Sequence, residues 1–327
     1  MSRLRLRMAA GLGAIVALAL TSACGLGTAG GFVPTGKLAG PLADVERFKG
    51  ADVAVGSKNF SEQVLLGKIA VILLRSAGAD ATDLTNIPGS ASARSAQLEG
   101  RVDLLWDYTG TAWISYLGHA KGIPDEQKQF GAVREEDQRK NGLVWLPPAP
   151  MNNTYGFAAT RKVAQRLGVE KLSDLKDVPK EERTFCVESE FANRNDGLEP
   201  MLKAYDIPLG SEVPRESIKT LDTGAIYAAT AKGTCNFGEV FTTDGRIKAL
   251  NLQVLQDDRK FFPAYNVSVV VRDEVLERHP QIEEIFDPVA EKLTDETLIE
   301  LNAQIDVDGR EPADVAYEWL ESEGFIE

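Results

Sequence analysis

The sequence predicts an α/β protein of two lobes. Short β-branched runs alternate with helical spacings of apolar residues, and the alternation restarts near Tyr155. The length of 327 residues accommodates two domains. In the first series, residues 52–56 (Asp-Val-Ala-Val-Gly) read as a buried strand closed by Gly56. Val64, Leu65, Ile69, Ile72 and Leu73 have helical spacing over 61–77, with Ser61 as N-cap and Gly78 as stop. A short helix over 91–99 leads to a strand at 102–106 and a helix over 109–118, the rhythm of an open parallel sheet. In the second series, strands are expected at 155–159, 184–187, 235–240 and 252–255, and helices at 197–205 and 223–232. A late β-branched run at 266–271 precedes helices at 273–278, 281–293, 294–303 and 312–321. The chain has no short fixed repeat, which excludes a solenoid.

Composition narrows the function. Hydrophobic residues make up 43% and charged residues 26%, values of a globular chain rather than a disordered or polytopic membrane one. Acids outnumber Lys and Arg 49 to 36, a formal charge of −13, so no nucleic-acid partner is expected. With two histidines, His119 and His279, and three cysteines, neither a metal site nor histidine-dependent catalysis is expected. No cofactor motif stands out.

The first 23 residues read as a secretory signal peptide. Arg3, Arg5 and Arg7 precede an apolar run over 8–20, and small residues follow before Cys24. The segment resembles a bacterial lipobox, which would make Cys24 the lipidated first residue of the mature chain and place the protein on the extracytoplasmic face of the cell membrane; the other reading is an ordinary secretory signal with an incidental cysteine. Residues 24–50, rich in Gly, Ala and Pro, read as a flexible lipid-anchored tether. In an oxidising compartment the two remaining cysteines, Cys186 and Cys235, each in a β-like run, either pair as a disulfide or stay as buried thiols.

Ligands of open α/β sheets sit on loops and helix N-termini at the carboxyl ends of strands, and the informative residues fall there. Lys58, in Gly56-Ser57-Lys58-Asn59-Phe60-Ser61-Glu62-Gln63, is either an anion contact at a helix N-terminus or a solvated lysine of a turn. Tyr108 and Thr111, in Trp106-Asp107-Tyr108-Thr109-Gly110-Thr111, are an aromatic face with a hydroxyl, or a core ring with a helix cap. Asn153 and Tyr155 stand where one half gives way to the next. Arg194 suits a bidentate carboxylate clamp, or an ion pair with Glu188, Glu190 or Asp196. Phe241 and Tyr265 end the set. Four rings and two cations at strand ends would suit a small zwitterion: π-faces for a quaternary ammonium, and cations with hydroxyls for its carboxylate.

The segments 56–63, 107–113, 153–155 and 241–246, in that order, resemble the substrate-binding lipoproteins of osmoprotectant ABC transporters, the glycine betaine/carnitine/choline group, over about residues 51–322. The resemblance implies a type 2 periplasmic-binding-protein fold with two α/β lobes joined by a two-crossing hinge. Lobe I would be residues 51–152 plus 266–327 and lobe II residues 155–262, so that the late strand returns to the first sheet. It further implies an aromatic cage of Tyr108, Tyr155, Phe241 and Tyr265, carboxylate contacts from Lys58, Thr111 and Arg194, and a backbone carbonyl from Asn153. Lys58 would then favour zwitterions over choline. The expected function is capture of a quaternary-ammonium compatible solute, glycine betaine foremost, by a monomer that delivers it to permease subunits. The alternatives are the same fold with choline, carnitine, ectoine or an amino acid, and more distantly a secreted hydrolase. No Gly-x-Ser-x-Gly elbow supports the hydrolase, and no enzyme activity is expected.

Overall fold

The structure is a computed structural model and describes residues 32–48 and 50–327. The expected signal peptide and Cys24 lie outside the described residues. Among the described residues ten strands follow one another: β1 (Asp52–Lys58), β2 (Asp80–Ile87), β3 (Leu104–Tyr108), β4 (Leu143–Trp145), β5 (Tyr155–Thr160), β6 (Phe185–Val187), β7 (Ile218–Thr220), β8 (Phe237–Phe241), β9 (Leu252–Val254) and β10 (Val267–Arg272). They form two five-stranded sheets, ordered β2-β1-β3-β10-β4 and β7-β6-β8-β5-β9.

Both sheets are mixed, which corrects the expectation of parallel sheets. In the first, β1 runs parallel to β2 and β3, and β10 runs antiparallel to β3 and β4. In the second, β6 runs parallel to β7 and β8, and β5 runs antiparallel to β8 and β9. The reversed strand in each sheet is the one that adjoins a crossing between sheets. β5 enters the second sheet directly from the first, and β10 comes back, with Val267 opposite Tyr108 and Val271 opposite Leu104. A strand that arrives from the neighbouring layer has no crossover helix to turn it parallel.

The helix α1 (Ser61–Ser76) is apolar almost all round because it is covered on both sides, by the first sheet and by the helix Pro312–Ser322. Two elements escape a periodicity reading. β2 alternates buried and exposed positions but buries Asp83 and Thr85, and Asp83 takes the charge of Lys68. The helix Glu126–Asn141 buries only Gln129, Val133 and Asp137. Its anchor is polar: the Asp137 carboxylate accepts from Arg94, Asn141 and the Trp145 indole.

The expected tether over 24–50 needs correction in its described part. Val33, Leu38, Leu42 and Phe48 are buried, and Leu38 bridges to Ile326. Lys37 N–H donates to the Glu327 carbonyl at 2.9 Å, and Ala39 N–H to that of Phe325 at 2.9 Å. Single apolar residues at irregular spacing leave no periodic signal, yet each fills a site on the body.

Cys186, in β6, is bonded to Cys235, just ahead of β8, with Cα atoms 5.7 Å apart and a separation of 49 positions in sequence. The bond encloses β7 and the helix Thr223–Ala231, whose start forms one wall of the site described next. Changing both cysteines to alanine is expected to lower stability by about 2–4 kcal/mol, the range for loops of this size. The guanidinium unfolding midpoint reads this; an unchanged midpoint would mean that the enclosed segment is ordered without the bond.

Candidate functional site

A cavity of about 640 Å³ lies between the two sheets, at the ends of β1, β3, β6 and β8 and beside both crossings. Its size is that of a small-molecule site. Five rings form an arc from one sheet to the other. Phe60, the residue ahead of α1, stacks near Tyr108 at 6.2 Å on one side and Phe241 at 5.1 Å on the other. Tyr155 continues the arc, 5.3 Å from Phe241, and Tyr265 stands edge-on to Tyr155 at 5.4 Å. Gly110 permits the last contact, since a Cβ there would lie 2.6 Å from Tyr265 Cδ1. Burial holds the phenols of Tyr108, Tyr155 and Tyr265 neutral by raising them well above their ordinary range.

All the sequence-predicted site residues but one line this cavity: Lys58, Tyr108, Thr111, Asn153, Tyr155, Phe241 and Tyr265. The exception is Arg194. Its Nε and Nη2 each donate to Asp196 at 2.7 Å, its Nη1 donates to Glu190 at 3.2 Å, and its guanidinium lies 5.3 Å from the Tyr155 ring. In place of the expected direct clamp, Arg194 forms a buried ion pair behind the arc of rings. Asp196 also accepts from the Tyr265 hydroxyl at 2.6 Å, so this pair fixes two of the rings.

Lys58 carries its own counter-ion. Its Nζ donates to Asp107 Oδ1 at 2.6 Å, with both side chains about 4% exposed, and sits 5.0 Å from the Tyr108 ring. The pair is neutral as a unit, yet an ammonium has three donors and, among the described residues, one is used. Asn153 joins a buried network around Glu62, in the first turn of α1.

Sequence reasoning missed four contributors. Phe60 stands in the segment 56–63 but carried no signal of its own as a ring of the cavity. Glu190, Ser90 and Arg246 also line the cavity. Arg246 lies 4.3 Å over Tyr227 and is held by Asp244 and, at 3.5 Å, by Asp306. Its signal was its place in 241–246, next to a strand end.

Under the floor, Glu239 on β8 is buried and accepts the Glu188 N–H at 2.7 Å. Burial, with the charges of Glu188 and Glu190 adding, pushes its carboxyl up to about 8 against the pull of that hydrogen bond and Arg194. A raised acid favours folding while protonated. Its contribution is complete below the ordinary 4.5 and fades as pH rises towards about 8. Glu239→Gln keeps the acceptor and removes the titration. The variant is expected to gain on the parent in melting temperature as pH rises from 5 to 8; parallel melting curves across that range would place the group elsewhere.

Two sheets of matching topology, two crossings and a ring-lined cleft between them define a solute-binding protein of the type 2 periplasmic-binding fold. The chain belongs to the OpuAC family, described as the substrate binding domain of ABC-type glycine betaine transport systems, whose model matches residues 51–322. It is 38% identical over 293 residues to the glycine-betaine-binding protein of Pseudomonas aeruginosa, covering 87% of this chain and 90% of that one. It is 33% identical to the glycine betaine-binding protein YehZ of Escherichia coli, covering 84% and 91%. Among solved structures, a glycine betaine/carnitine/choline ABC transporter protein superposes with a TM-score of 0.68 at 27% identity, over 83% of this chain and 98% of that one. Members of this family are solute-binding proteins that work with ABC permeases on the extracytoplasmic side of the membrane. No helix among the described residues is long and apolar enough to cross a membrane.

Proposed function

We propose that the chain captures a quaternary-ammonium compatible solute, glycine betaine foremost, between lobe I (51–152 with 266–327) and lobe II (155–262) and delivers it to permease subunits. The observation that carries this reading is the unbroken arc of Tyr108, Phe60, Phe241, Tyr155 and Tyr265 along one cavity. A trimethylammonium donates no conventional hydrogen bond and is held by π-faces, each worth about 0.5–2 kcal/mol. The two unspent donors of Lys58 and the Thr111 hydroxyl face the ligand's carboxylate, Asn153 offers its carbonyl, and Arg194 acts from behind by fixing Tyr155. Ligand contacts from both lobes favour the closed form, and closure follows from that differential affinity. The protein turns nothing over, acts as a monomer, and is anchored through Cys24.

Calorimetric titration of the purified chain with glycine betaine, carnitine, choline and ectoine tests this. Saturable heat and a raised melting temperature with glycine betaine are expected. Silence with all four would end the reading. Phe60→Ala is expected to weaken glycine betaine binding about tenfold, since it removes one face and the stacking support of two others; unchanged affinity in the same titration would remove Phe60 from the cage.

A further inference from the structure

Glu190 has no place in the cage or in the carboxylate contacts, yet it lines the cavity and reaches across it. It lies in the short helix Ser189–Asn193 after β6. Its Oε2 accepts the Ser90 N–H at 2.9 Å, at the start of the helix α2 (Ser90–Leu98) on the opposite lobe. Its Oε1 accepts from Arg194 Nη1 at 3.2 Å. Two electrostatic effects link its charge to the groups that line the cavity. Burial raises its carboxyl, but Lys58, the Ser90 hydrogen bonds and Arg194 together bring it below the usual range, so it is anionic at neutral pH. Its charge in turn helps to raise the Tyr155 phenol.

The remaining charges near the cavity do not cancel it. Lys58 is matched by Asp107 and Arg194 by Asp196, while Arg246 faces both Asp244 and Asp306. Glu188 caps its own helix by accepting from Glu190 N–H, and Asp222 is exposed. Every cation in this set already has a carboxylate, and Glu190 is one more.

We propose that Glu190 is a specificity-determining residue of the cleft: its carboxylate, held at the start of α2 on the wall of the cavity that Lys58 also lines, narrows the preference for a zwitterion that Lys58 and Thr111 set, because it favours a net cation. The proposal rests on the solute reading above and deepens it. The neutral Lys58–Asp107 pair gives a zwitterion hydrogen bonds without net charge. Glu190 attracts any ammonium in the cage and repels a carboxylate that turns towards Lys58. Choline, a cation without a carboxylate, gains the first effect and escapes the second.

Glu190→Gln removes the charge and keeps a shape that can still accept from Ser90. Calorimetry on the parent and the variant, with choline and with glycine betaine, separates the outcomes. The choline Kd is expected to rise about tenfold while the glycine betaine Kd stays level or falls, as suits loss of one charge from the wall of the cavity. Glu190→Ala is expected to shift the ratio of the two Kd values in the same direction. If both ligands weaken by a common factor, Glu190 is only an interlobe contact and the proposal is overturned; an unchanged ratio overturns it too. If the parent binds neither ligand, the solute reading itself falls, and this inference with it.

Discussion

Replacing Tyr155 by alanine is expected to weaken glycine betaine binding by more than about 100-fold, beyond what one lost face supplies at about 0.5–2 kcal/mol. The excess comes from its neighbours. Tyr155 touches Phe191 at 4.8 Å, Phe241 at 5.3 Å, Phe262 at 6.1 Å and Tyr265 at 5.4 Å. Its removal frees Phe241 and Tyr265 from their edge and tilt contacts, and it opens the Arg194–Asp196 pair to the cavity. The ring is half-buried at a cavity wall, so the loss falls mainly on binding rather than on folding. Tyr155→Phe is the control. The Tyr155 hydroxyl makes no hydrogen bond among the described residues, so phenylalanine keeps the π-face and an affinity within about threefold of the parent is expected. Parent-like affinity in the alanine variant, measured by calorimetry, would contradict a cage built on this ring.

The same contacts show what could be read from sequence. Val267–Arg272 was legible because a strand buried on both faces reads as a continuous β-branched run. β2 and the helix Glu126–Asn141 were not, because each is anchored by a buried charge pair that looks like surface in sequence. In the site, Tyr108, Tyr155, Phe241 and Tyr265 were legible because strand ends are where such sheets bind. What sequence could not give was the partner of each cation. Arg194 had three candidate carboxylates within a few residues, and the structure gives it Asp196 and Glu190 together. Lys58 finds Asp107, 49 positions away, across β1 and β3. A chain with 49 acids offers no way to choose among them without the register of the sheets. The expectation that Lys58 favours zwitterions over choline was read from the lysine alone, without the anion that Asp107 brings to it.

Glu62→Ala is expected to cost about 5 kcal/mol of stability, on the scale of leaving several buried donors without an acceptor. Glu62 is fully buried and gathers four donors from four parts of the chain. Oε1 accepts from the Tyr108 hydroxyl at 2.6 Å and Asn153 Nδ2 at 2.8 Å; Oε2 accepts from the Thr243 hydroxyl at 2.5 Å and Asn302 Nδ2 at 3.0 Å. These lie 46, 91, 181 and 240 residues away, which is why no motif announced them. Tyr108 belongs to the first sheet, Asn153 to a crossing and Thr243 to the segment after β8, so one carboxylate ties a ring of the cavity to a crossing and to both sheets. Burial raises its carboxyl even against four hydrogen bonds. Either protonation state can be satisfied, because the Tyr108 and Thr243 hydroxyls can turn to accept. The two asparagine amides cannot turn in this way: each Nδ2 remains a donor. Glu62→Gln therefore sets its own amide against Asn153 or against Asn302, whichever way it is turned. Turning Asn302 over would supply its unpaired Oδ1 but lose its bond to the Thr243 carbonyl. The glutamine variant is expected to lose about 1–3 kcal/mol, the cost of one such conflict. Denaturant unfolding of both variants ranks these losses. Calorimetry on the glutamine variant supplies the second arm: with Tyr108 no longer held, glycine betaine should bind more weakly, and Tyr108→Phe in the same background should add little further loss. Full additivity of the two changes would separate Glu62 from the ring and leave it a purely structural anchor.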